Sequence, residues 1–61
     1  MMITETELKK LIKESRLSVR EIARRSGLHS NTLYLFLRGK ISISLANANA
    51  VYRVVTEAAN G

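Results

Sequence analysis

VREIARRSGLHSNTLYLF, residues Val19 to Phe36, is the stretch that decides how this chain folds. Apolar side chains return at helical intervals on both sides of Gly27, so it reads as two helices joined by a tight turn. Ala23 stands four residues before that glycine, where a larger side chain would force the two helices apart. Gly27 supplies the left-handed turn residue. Leu28 covers the joint, and Leu33 and Phe36 are the buried positions of the second helix. Ser18 and Glu21 form a capping box that marks where the first of the pair begins.

Working outward, Thr4-Glu5-Thr6-Glu7 is another capping box and opens an earlier helix, with Leu8, Leu11 and Ile12 on one face and Ser15 near its end. The helix that begins at His29 or Ser30 runs to Arg38 and is closed by Gly39. Lys40 to Ser44 alternates apolar and polar residues; it reads as an extended connector whose isoleucines dock onto the core, with a short pairing strand as the less favoured alternative. Ser44 caps a last helix running to about Ala59, with Asn60-Gly61 as its stop. The expected fold is all-α, a small four-helix bundle forming a single domain over residues 1–61, with the joined pair as helices two and three.

The composition excludes several functions. A chain of 61 residues has little core to spare, and without cysteine it has neither disulfides nor a thiolate metal site. One histidine makes a multi-ligand zinc site unexpected. Nothing pairs a nucleophile with a base, and no glycine-rich loop cradles phosphate, so an enzyme is not expected, nor are a cofactor or a small-molecule ligand. The longest apolar run, Leu33 to Leu37, cannot span a bilayer, and the acidic start lacks the blocks of a signal peptide. The basic residues flank turns and helix ends rather than forming one stripe, which argues against a membrane surface. The expected location is the cytoplasm. A net charge of +5 on so small a body favours a polyanionic partner.

The spacing Ala-x-x-x-Gly-Leu-x-x-x-x-Leu-x-x-Phe, from Ala23 to Phe36, resembles the helix-turn-helix, whose second helix enters the DNA major groove. A capped helix precedes the pair, and Leu37-Arg38-Gly39-Lys40, a connector and Ser44-Leu45 follow it. That order resembles the lambdoid phage repressor and Cro family, a lambda repressor-like bundle, over about Leu8 to Val55. The lac-repressor headpiece shares Thr32-Leu33 and the late valines, but there the motif opens the chain. The sequence departs from the family twice. Val19 stands where the family often has a glutamine bracing a phosphate, and the sequence ends at Gly61 where the family often has a fifth helix or an arm.

The resemblance implies a sequence-specific, double-stranded DNA-binding regulator of Cro or repressor type, phage or bacterial, that occupies an operator and blocks polymerase. The alternative is an antitoxin-type or protein-interaction module that retains the fold. An interaction module predicts acid on the outer face of helix three, and none is there. By position, the resemblance makes Ser30, Asn31, Thr32, Tyr34 and Leu35 the base readers. Asn31 suits the N6 and N7 edge of adenine. Leu35, an oddity among Asn31, Tyr34 and Arg38 on the polar side of its helix, suits thymine methyls, with a dimer contact or an incidental exposed leucine as the alternative. Phosphate contacts are expected from Arg20, His29, Arg38 and Lys40. Arg24 and Arg25 are lesser candidates for phosphate, with a solvated face paired with Glu21 as the alternative; Lys9, Lys10, Lys13 and Arg53 read as solvating charges.

The family pairs subunits across half-sites, so a homodimer is expected. On the last helix, Leu45, Ala48, Tyr52, Val55 and Ala59 share one side and are expected to seal the core. Asn47, Val51, Val54 and Ala58 form a flank expected to meet a second copy, with pairing through Ile41 to Ile43 as the rival interface.

Overall fold

The computed structural model describes residues 3–60 and contains four helices: α1 (Glu5–Glu14), α2 (Val19–Ser26), α3 (Ser30–Leu37) and α4 (Leu45–Asn60). Among the described residues there is no strand, so the alternation from Lys40 to Ser44 belongs to a plain connector. Helix α4 continues through Asn60, one residue beyond the expected end, and Gly61 lies outside the described residues.

Helices α1, α2 and α4 each start where a short polar side chain captures a free amide. The Glu7 amide donates to Thr4 Oγ1 at 3.1 Å, the Glu21 amide to Ser18 Oγ at 3.1 Å, and the Asn47 amide to Ser44 Oγ at 3.1 Å. The reciprocal half of each expected capping box takes a different path. Thr4 Oγ1 donates to the Glu7 carboxylate at 3.2 Å, and the Glu21 carboxylate turns to the arginines one turn on. Both α2 and α3 end in the same six-residue closure. The Leu28 amide reaches back to the Ala23 carbonyl at 2.8 Å, and the Lys40 amide to the Leu35 carbonyl at 2.9 Å. That closure needs a left-handed residue, and Gly27 (φ 77°) and Gly39 (φ 76°) supply it.

The core draws two side chains from each helix: Leu8 and Ile12, Ile22 and Ala23, Leu33 and Phe36, Val51 and Val55. In α1, α3 and α4 the pairs are spaced i, i+3 or i, i+4, as a single inward stripe requires. In α2 they are neighbours in sequence and point about 100° apart, so the helix is covered over a wide arc. It packs on α4 on one side and α3 on the other, while α1 closes against α4. Lys9 is not simply a solvating charge: it is half-buried, with its ammonium 5.1 Å from the Phe36 ring centre, and caps the core there.

Three expectations for the C-terminal third are corrected. Val51 is fully buried (0 % exposed), not on a flank. It lies about 40° from Val55 around the helix, inside the arc facing α1 and α2. Leu45 is 64 % exposed and seals nothing; apolar side chains of α4 join the core only from Ala48 onward, and Ala59 is exposed as well. Only one isoleucine of the connector docks: Ile43 packs against the core, whereas Ile41 is 39 % exposed. The Ser42 hydroxyl ties this connector to α1 by donating to the Glu5 carboxylate at 3.2 Å.

Ala23 is 1 % exposed and belongs to the buried core. Ala23→Leu should cost about 1–3 kcal/mol by overpacking, a large share of the stability of so small a domain. A denaturant titration followed by circular dichroism measures it; an unchanged midpoint would show that α2 does not lie against its neighbours as described.

Candidate nucleic-acid interface

The N-terminal ends of α2 and α3 open onto one surface groove. Ser18, Arg20, Glu21, Arg24, His29 and Ser30 line it, over a floor of Ala23 and Leu28. The placement follows from the turn. A left-handed Gly27 folds the chain back so that the start of α3 lies beside the start of α2, and Ala23 is too small to fill the space between. Unsatisfied amides at both helix starts and the guanidinium of Arg20 give the groove the character of an anion site.

His29 takes the capping position of α3. Its Nδ1 accepts from the Asn31 amide at a long 3.4 Å, which leaves Nε2 as the ring donor. Asn31 and Tyr34 are exposed on α3, Tyr34 to 43 %, while Ser30 and Thr32 are half-buried. Leu35 is half-buried yet is not among the side chains packed on the core. Arg38 and Lys40 are exposed at the other end of α3, and the closure around Gly39 sets the backbone of both. The residues expected to touch phosphate therefore fall into two groups. Arg20 and His29 stand with Ser30 at the groove, and Arg38 and Lys40 stand about two turns away, with the exposed part of α3 between them. Val19 packs against the core, so the position that departs from the family pattern serves the bundle.

The pairing of Glu21 with Arg24 and Arg25 that the sequence suggested is present, and it sets an acidic residue among these cations. Arg24 Nε donates to Glu21 Oε1 at 3.0 Å, a second Arg24 nitrogen donates to Oε2, and Arg25 Nε donates to Oε2 at 2.7 Å. The hydrogen bonds from Arg24 and then Arg25 hold the Glu21 carboxyl at about 2, below its usual 4.5, against a smaller opposing effect of burial. Glu21 in turn raises Arg24. The i, i+3 and i, i+4 spacing of these residues was visible in the sequence; that the carboxylate faces the groove was not.

Among the described residues no group of three His, Cys, Asp or Glu side chains could hold a metal ion, and no helix is long and apolar enough to cross a membrane. The groove and the exposed side of α3 offer hydrogen-bond donors, an amide and positive charge, which suit a polyanion.

The sequence model of the Cro/C1-type HTH DNA-binding domain matches residues 7–54. The chain belongs to that family. The match begins within α1, takes in the whole α2–α3 pair and ends inside α4, so the geometry above is that of a Cro/C1-type DNA-binding domain. Neither a search of curated proteins nor a search of solved structures found a match.

Because the folded state depresses the Glu21 carboxyl, the stability its ion pairs contribute is fully present above the usual 4.5 and is lost as pH falls through about 2. A carboxyl-carbon NMR titration should therefore place the Glu21 midpoint near 2. A midpoint near 4.5 would mean that the arginines do not hold the group in solution.

Proposed function

We propose that this Cro/C1-type domain is a sequence-specific regulator of transcription that lays α3 in the major groove of an operator, as a homodimer in the cytoplasm, and excludes polymerase. The observation that carries the reading is the arrangement of α3. Its inward residues, Leu33 and Phe36, are wholly buried, while Asn31 and Tyr34 stand free between two cationic groups. Phosphates of one strand would meet Arg20 and His29, and phosphates farther along would meet Arg38 and Lys40. Ser30, Asn31, Thr32, Tyr34 and Leu35 would then face base edges, with Asn31 pairing with adenine and Leu35 against thymine methyls.

For the second copy we favour the surface at the start of α4. Val51 is buried, and Val54 packs against the core, so of the original flank only Asn47 and Ala58 remain outside it, both half-buried. From Ile41 to Tyr52 there is no charged residue, although the chain carries +5 overall. Two such cations approach each other at least cost where neither carries charge. Ile41 and Leu45, both exposed, supply apolar area in that stretch. The domain measures 30 × 24 × 19 Å, so two touching copies lie at a separation of the same order as the ~34 Å between half-sites one helical turn apart.

The base and backbone contributions are separable. Asn31→Ala should lose about 1–3 kcal/mol of discrimination at one base pair. Arg20→Ala or Lys40→Ala should weaken all duplexes alike and reduce the slope of log affinity against log salt by about one each. Binding to a selected operator and its single-base variants over a range of salt measures both; equal weakening of every duplex by Asn31→Ala would remove its base-reading role.

Leu45→Asp places a charge on an exposed site and should leave the fold intact while shifting sedimentation from dimer to monomer. A folded Leu45→Asp protein that remains dimeric would rule out this interface.

A further inference from the structure

We propose that Glu21 is a specificity-determining residue: it occupies Arg24 and Arg25 and so keeps two cations of the α2 surface from binding DNA backbone of any sequence. The inference rests on the DNA-binding reading above and concerns how that binding discriminates.

Three observations carry it. First, Glu21 faces the same groove as Arg20, His29 and Ser30, so its carboxylate stands where backbone phosphate is expected. Second, both guanidiniums already donate to a carboxylate, Arg24 through two nitrogens and Arg25 through Nε. A carboxylate offers guanidinium the same planar pair of acceptor oxygens that a phosphate does, so the two compete for one donor set. Third, Arg24 and Arg20 lie one turn apart and line the same groove, yet differ in state. Among the described residues Arg20 has no carboxylate within ion-pair distance, whereas Arg24 does, although its side chain is 70 % exposed. Exposure alone would leave Arg24, like Arg20, open to phosphate.

The consequence for binding follows from charge. A phosphate entering beside α2 must displace Glu21 from an arginine, and the carboxylate is then left near other phosphates with water partly excluded. Unpaired charge in such a place is costly. On random DNA, where α3 finds no matching base edges, nothing compensates, and the backbone stays away from Arg24 and Arg25. On the operator, the base contacts of α3 draw the duplex in and offset the exchange. Glu21 thus lowers affinity for wrong sequences more than for the right one, which is how repulsion contributes to discrimination.

Removing an intrahelical ion pair that merely supports α2 adds no phosphate contact, so the salt slope, rather than affinity alone, separates the two roles. Glu21→Gln keeps the amide bond to Ser18 and a polar side chain while freeing both arginines. In the folded variant, affinity for a random-sequence duplex should rise. The slope of log affinity against log salt should steepen by up to about 1.8, two contacts at about 0.9 each. The ratio of operator to random affinity should fall. Adding Arg24→Gln and Arg25→Gln to that variant should cancel the gain. The same two changes in the wild-type background should leave the salt slope for a random duplex within about half a unit of the unaltered protein's, since those arginines donate to Glu21 and make no phosphate contact there. This arm stays informative if Glu21→Gln fails to fold. An unchanged slope in folded Glu21→Gln, or a loss of about two units of slope on removing the arginines from the wild type, would overturn the role of Glu21 and leave the DNA-binding reading standing. A wild-type protein that binds no duplex even at low salt would remove both.

Discussion

Ile22 and Ala23 are adjacent in sequence and both fully enclosed, and the rest of the bundle follows from that. Neighbouring residues on a helix point about 100° apart, so a helix that buries both must be covered on two sides. Helix α2 therefore lies between α3 and α4, and α1 is left to close on α4. Ala23 is what allows the close approach, because a longer side chain there would hold the helices apart. Gly27 then turns the chain within the space that remains, using a backbone conformation that other residues reach only with strain.

The same constraint shapes the surface. With α3 folded back beside α2, two helix starts and their capping side chains share one groove, and the short Ala23 side chain is its floor. Positive charge gathers around this groove and again on either side of Gly39, at Arg38 and Lys40, whereas Ile41 to Tyr52 carries none. A domain of net charge +5 thereby separates a surface fit for a polyanion from one fit for a second cation of its own kind. Glu21 interrupts the first surface, and its bonds to Arg24 and Arg25 make the effective charge there smaller than a count of arginines suggests.

Local chemistry accounts for the parts of this molecule that were legible in advance. Ser18, Ser44, Thr4, Gly27 and Gly39 each act on their own turn of backbone, so helix starts and stops could be read residue by residue within about one position. The helix-turn-helix was legible for the same reason, since Ala23, Gly27, Leu28, Leu33 and Phe36 lie within a single short stretch. Legibility fell off in α4, which has apolar residues on more than one side. There Leu45, Val51 and Val54 are equally apolar in sequence, and choosing among them requires knowing where α1 and α2 end.

The amino-acid sequence by itself determined the four helices, their caps and turns, the outward set of α3 residues and the sign of the partner, because each depends on interactions within a few residues or on a sum over the chain. Only the tertiary structure decided that Val51 is core and Leu45 is surface, that Lys9 covers Phe36, and that one connector isoleucine docks while the other does not. It also decided that the carboxylate of Glu21 shares a groove with Arg20 and His29. These depend on which helix lies over which residue, and that is set by packing between segments far apart in the chain, where helical periodicity alone leaves several arcs equally apolar.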